Sequence, residues 1–180
     1  MNPNAGVRFV VKKAVVETDY GLTECATLVL QKVNSPLFRP HPITDFIKKN
    51  YLKHDNNYNT QNSVAELIKR YLNYILIDNF TTYRLESFSQ IRRLHALDFL
   101  ESLKGSPIEQ GRYKGKLRSN ITLEKFSFIL SQFYGYLHKK GYLSPDERDE
   151  IADYINNGTT KDMFVGNGFT LFHKDKPVYL

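Results

Sequence analysis

The sequence predicts a mainly α-helical protein, with four to five helices preceded by an N-terminal β-hairpin. Three features predict it. Two β-branched runs flank a turn-forming segment near the start of the chain. From Thr44 onward the apolar residues recur at i, i+3, i+4, the period of a helix buried on one side. Clusters of Gly, Pro, Asn and Asp punctuate the periodic segments. Hydrophobic residues make up 41% and charged residues 24% of the 180, the balance of a folded chain. That length holds one domain with an appendage, or two very small domains.

The hairpin comes first. Val7-Arg8-Phe9-Val10-Val11-Lys12-Lys13-Ala14-Val15-Val16 and Cys25-Ala26-Thr27-Leu28-Val29-Leu30-Gln31-Lys32-Val33 are the β-rich runs. Glu17-Thr18-Asp19-Tyr20-Gly21 between them has turn chemistry. A hairpin alone is marginal in water, so this one packs on another element or gains a third strand. Pro36, Pro40 and Pro42 then interrupt the chain.

Thr44 is placed to cap a short helix carrying Phe46, Ile47 and Leu52. A longer helix follows over about residues 60–77, with Val64, Leu67, Ile68, Tyr71 and Ile75 on its buried stripe. A third, about residues 90–103, buries Ile91, Leu94, Leu97 and Leu100, with Ser87 or Ser89 as its cap. Gly105, Pro107, Gly111 and Gly115 make residues 104–118 a loop. The fourth helix, about residues 120–140, buries Leu123, Phe126, Leu130, Phe133 and Leu137 and stops at Gly141. Ser144-Pro145-Asp146-Glu147 starts a fifth, which ends before Gly158. Beyond it, Phe169-Thr170-Leu171-Phe172 is β-like. The expected divisions are a hairpin appendage at 1–38, a helical domain at 39–158 and a C-terminal extension at 159–180.

The formal charge of +6 favours a polyanionic partner without identifying one. A single cysteine, Cys25, excludes an internal disulfide and suits a reducing, cytoplasmic setting; its strand-like context makes it a core thiol rather than a nucleophile. No two of His41, His54, His95, His138 and His173 stand three to five residues apart, so no helical metal pair exists. No phosphate-binding Gly-rich motif occurs, and no stretch has the length of a membrane span. The acids Asp146, Glu147, Asp149, Glu150 and Asp153 complement the start of the fifth helix. No enzyme chemistry, cofactor or metal is expected.

The 104–118 loop carries Lys104, Arg112, Lys114, Lys116 and Arg118 against one acid, Glu109. It leads into a helix start where Ser119, Asn120 and Thr122 offer small polar side chains and backbone N–H groups, which is phosphate-binding chemistry. Lys125 stands one turn further on, opposite the buried stripe. On the second helix Asn62, Glu66, Lys69 and Asn73 lie opposite the stripe with Arg70 at its margin, a face suited to a DNA groove. The candidate DNA contacts are therefore Lys69, Arg70, Asn73, Arg112, Lys114, Lys116, Arg118, Asn120, Thr122 and Lys125. Solvated surface charge is the alternative for each.

Three stretches resemble the tyrosine recombinases, or phage integrases. "RPHPITDFIKKNYLKH" (Arg39 to His54) is similar to the family's first helix. "TQNSVAELIKRYLNYILID" (Thr60 to Asp78) is similar to a helix in which Thr precedes spaced apolar positions, here Val64, Ile68, Tyr71 and Ile75. "SNITLEKFSFILSQFYGYLHKKGYLS" (Ser119 to Ser144) resembles the long helix that ends in Phe-Tyr, an apolar pair, two basics and Gly. Phe133, Tyr134, Leu137, Lys139, Lys140, Gly141 and Leu143 take those places. The likeness covers roughly residues 40–145. It departs at Glu124-Lys125-Phe126, where only Lys125 keeps the family's basic charge, and at the capped fifth helix, where the family has an Asn-Pro turn.

The resemblance implies a SAM-like core-binding domain that clamps duplex DNA at the core recombination site. In the parent enzyme, cutting and rejoining pass through a 3′-phosphotyrosyl intermediate on a catalytic domain. "HKDKPVYL" (His173 to Leu180) is similar to the linker that introduces that domain. None of the histidines has Arg three residues later, so the family's His-x-x-Arg is missing. The expectation is a truncated piece or natural remnant of a bacterial or phage-encoded recombinase. Its partners would be double-stranded DNA, other protomers on that DNA, and the missing catalytic domain in cis. A free-standing DNA-binding regulator and a protein-interaction module are the alternatives.

Overall fold

The β-branched runs pair as their composition demands. The computed structural model describes residues 5–19, 21–52, 58–160 and 163–164. In it, β1 (Val7–Thr18) and β2 (Gly21–Lys32) are antiparallel from Val7↔Lys32 to Thr18↔Gly21. The third strand that a lone hairpin needs is β3 (Phe38–Pro40), antiparallel to β2 from Val29↔Pro40 to Gln31↔Phe38. Pro40, which lacks a donor, sits on this edge strand, where proline is tolerated.

Helices α1 (Thr44–Tyr51) and α2 (Tyr58–Asn73) pack on the sheet. They bury Phe46, Ile47, Val64, Ala65, Leu67, Ile68, Tyr71 and Leu72, while the sheet buries Phe9, Cys25, Ala26, Leu28 and Val29. Cys25 is thus a core thiol, and burial raises its pKa. Three polar helix residues bond to strand backbone that the ladder leaves open. Gln61 Oε1 accepts the Ala26 N–H at 3.2 Å and its Nε2 donates to the Glu24 carbonyl at 3.4 Å. The Thr44 hydroxyl accepts the Leu28 N–H at 3.0 Å and donates to the Leu28 carbonyl at 3.1 Å. Asn73 Oδ1 accepts the Phe9 N–H at 2.9 Å while its Nδ2 donates to the Phe9 carbonyl at 3.0 Å. Each side chain does for one donor and one acceptor of a strand what a neighbouring strand would do. Thr44 is therefore no helix cap, because its hydroxyl is engaged by β2. After α2 the chain makes a π-helical turn, Tyr74–Asp78, and a single-turn helix, α3 (Phe80–Tyr83).

The chain divides into two compact units at Glu86/Ser87, not at residues 38/39. The first helices belong with the sheet because its apolar face requires cover and because Gln61, Thr44 and Asn73 join the two layers.

In the second unit α4 (Arg93–Gly105) and α6 (Pro145–Asn156) both pack on α5 (Asn120–Lys139). The described residues thus hold six α-helices and a three-stranded sheet. Ser87 opens only a short 3-10 turn, Phe88–Gln90; α4 begins at Arg93, where His95 Nδ1 accepts the Arg92 N–H at 3.0 Å. The buried side of α4 runs through Arg93, Ala96, Leu97, Leu100 and Leu103, which leaves the expected core residue Leu94 57% exposed. Phe126 is half-buried, whereas Leu123, Leu130, Phe133 and Leu137 are buried as expected. Gly141, at φ +69°, ends α5: its N–H reaches the His138 carbonyl and that of Tyr142 reaches Leu137, each at 3.0 Å.

Glu147 does more than complement its own helix. Its buried carboxylate accepts the backbone N–H of Arg93, tying the start of α6 to the start of α4. Burial raises its pKa, with Glu150 adding to the rise, against the Arg93 N–H and the charges of Arg92 and Arg93. The Arg93 guanidinium donates to Glu150 at 2.8 Å and to the Met163 carbonyl at 2.8 Å, and lies 5.4 Å from the Tyr154 ring centre. Of the expected C-terminal extension, Met163 and Phe164 are buried. The β-like Phe169–Phe172 run and the "HKDKPVYL" segment lie outside the described residues.

Candidate nucleic-acid interface

The loop between α4 and α5, residues 106–119, is closed on itself. The Ile108 N–H donates to the Lys116 carbonyl and the Gly115 N–H returns to the Ile108 carbonyl, both at 2.8 Å. Within that closure the Lys114 N–H reaches Gly111 and the Lys116 N–H reaches Tyr113, both at 3.1 Å. Gly111 (φ +85°) and Gly115 (φ +82°) supply the backbone conformations these turns require. The glycines therefore shape the loop as well as relax it.

On this frame Arg112, Lys114 and Lys116 are exposed, as is Lys125 on α5. Among the described residues neither Lys114 nor Lys125 has a carboxylate partner. From Lys104 to Lys125 six basic residues face two acidic ones, Glu109 and Glu124, so the local field is positive.

Arg118 departs from the expected surface role. Its Nη1 donates to the Leu103 carbonyl at 3.1 Å and to the Ser106 carbonyl at 2.9 Å, closing the C-terminal end of α4. It is a cap for that helix, set by a partner fifteen residues away.

At the start of α5 Ser119 Oγ accepts the Thr122 N–H at 3.3 Å and lies 2.9 Å from the Thr122 hydroxyl. Thr122 is thereby satisfied within the cap. The N–H groups of Asn120 and Ile121, in the first turn, have no carbonyl within the helix to bond. The helix start keeps two donors and partial positive charge beside the loop.

Lys69, Arg70 and Asn73 belong to the first unit, whereas Arg112, Lys114, Lys116, Asn120, Thr122 and Lys125 belong to the second. Lys69 pairs with Glu66 on its own helix, and Lys69 and Arg70 are half-buried. Asn73 is 7% exposed and bonded at both ends of its carboxamide to Phe9, so it is a tether between α2 and β1 and not a DNA contact.

Tyr113 belongs with the loop cations. Its ring is 56% exposed, with Arg112 5.8 Å and Lys116 5.9 Å from the ring centre. Its signal in the sequence is an aromatic set among cations in a glycine-flanked loop. Ile121 (77% exposed) and Phe128 (53% exposed) flank Lys125 on the outer face of α5, at i, i+4, i+7 spacing.

The chemistry on offer is that of binding: cations, amide donors and an exposed ring. Among the described residues no group of three or more His, Cys, Asp or Glu is placed to hold a metal ion, and no helix is long and apolar enough to cross a membrane. No family model, no curated protein and no solved structure matches the chain.

Proposed function

We propose that this chain is the DNA-binding region of a tyrosine recombinase, a SAM-like core-binding element that clamps duplex DNA for a catalytic domain lying outside it. The observation that carries the reading is the closed loop of exposed Arg112, Lys114 and Lys116 beside the two free amide donors of α5. Cations at that spacing displace condensed counterions from a phosphate backbone, and helix-start amides bond phosphate oxygens. The motif likeness over Ser119 to Ser144, the long helix that this loop feeds, supports the family. In this role the chain works in the cytoplasm, needs no cofactor and meets other protomers on DNA.

Binding is phosphate-directed and weak, in the non-specific range of about 10⁻⁴–10⁻⁶ M. Fluorescence anisotropy with a labelled duplex at about 50 mM and about 200 mM salt tests it, with a steep loss of affinity expected between the two. No binding at the lower salt refutes the reading. It would leave standing a protein-interaction module, which the exposed Ile121 and Phe128 on α5 favour. A free-standing DNA-binding regulator would share the predicted binding and differ in having no catalytic domain in its reading frame.

A further inference from the structure

We infer that Tyr113 is a base-stacking platform, so that the loop between α4 and α5 binds DNA carrying unpaired bases in preference to intact duplex. This rests on the DNA-binding reading and deepens it by naming the form of DNA.

The ring sits in a turn that cannot easily fold back on itself. Ile108 is bonded in both directions across the loop base, to Lys116 and from Gly115, at 2.8 Å each. Glycines with φ of +85° and +82° stand two residues either side of Tyr113. The result is an aromatic side chain 56% exposed, and Leu117, four residues on, is 64% exposed. A single exposed ring is ordinary on a protein surface; what sets this one apart is the charge around it.

The neighbouring charges indicate which ligand. Arg112 and Lys116 lie 5.8 and 5.9 Å from the ring centre, the outer limit of a cation–π contact, so neither is held strongly there. A cation on each sequence flank of an open ring matches a base with a phosphate on either side. Stacking of this sort accepts any base, because every base has a π face. Inside a duplex both faces of a base are covered by its neighbours, so the ring can meet a base face only where one is unpaired.

The test compares a short labelled duplex with the same duplex carrying a two-nucleotide bulge, by anisotropy at low salt. The bulged DNA should bind roughly tenfold more tightly, within the range that one aromatic stack contributes. With 2-aminopurine in the bulge, emission should fall on binding. Tyr113→Ala should bring the bulged DNA down to the level of the intact duplex, and Tyr113→Phe should keep the preference. Lys114→Ala should weaken both probes alike and leave their ratio unchanged. Equal affinities for the two probes, or a preference that survives Tyr113→Ala, overturns the stacking role while leaving duplex binding in place. Failure to bind either DNA overturns both this inference and the DNA-binding reading.

Discussion

Asn73 separates two accounts of α2, and Asn73→Ala decides between them. The carboxamide accepts the Phe9 N–H at 2.9 Å and donates to the Phe9 carbonyl at 3.0 Å, and both residues are buried. Truncation leaves one donor and one acceptor of β1 without these partners. An unsatisfied buried group costs about 1–3 kcal/mol, and some water will enter the gap, so the loss should be about 2–4 kcal/mol. Asn73→Asp keeps an acceptor for the N–H but sets a carboxylate oxygen against the Phe9 carbonyl; it should be worse at neutral pH than near pH 4, where protonation restores a donor. The chain has no Trp, so unfolding is followed by far-ultraviolet circular dichroism in urea. Folded Asn73→Ala should bind DNA as the wild type does. A variant of wild-type stability with weakened DNA binding would refute the tether and return Asn73 to the DNA surface.

Three further outcomes are expected. Phe133→Ala, on the buried side of α5, should cost about 3–5 kcal/mol, while exposed Lys125→Ala should change stability by no more than about 0.5 kcal/mol in the same denaturation assay. Arg118→Ala should destabilise by about 1–2 kcal/mol, because two charge-assisted bonds to the end of α4 are partly solvated, whereas Lys114→Ala should not. For Glu147 the folded-state pKa is raised, so protonation of this group favours folding and its contribution diminishes as pH climbs through the folded value. Glu147→Gln, which still accepts the Arg93 N–H, should therefore gain most over wild type at neutral pH and lose that advantage as pH falls into the ordinary carboxylate range. Glu147→Ala should destabilise throughout, read by thermal melts across that range.

The elements were legible where apolar spacing alone decides them. Leu123, Leu130, Phe133 and Leu137 mark the inner face of α5, and Gly141 ends it as the pattern requires. The polar tethers were not legible, because a helical period assigns a residue to solvent by its polarity. Gln61, Thr44 and Asn73 are polar yet buried, since their partners are strand backbone far along the chain. The same limit hid the division at Glu86, which depends on those tethers. Long side chains mislead for a related reason. Arg118 reads as one more loop cation, and only the position of the α4 carbonyls turns it inward. The exposed Leu94, Ile121 and Phe128 show the reverse case, apolar residues that their helices do not bury.

The proposal that the loop cations bind DNA phosphates is checked by the salt dependence of duplex binding for the wild type and for a variant carrying Arg112→Ala, Lys114→Ala and Lys116→Ala together. Arg118 is left intact because α4 depends on it. Removing one cation–phosphate pair should flatten the slope of log K against log salt by roughly 0.9, so removing three should flatten it by up to about 2.7. Melting should be unchanged, because these side chains are exposed. A wild type that binds duplex with a slope identical to the variant's would contradict the account and make the three cations ordinary solvated charge.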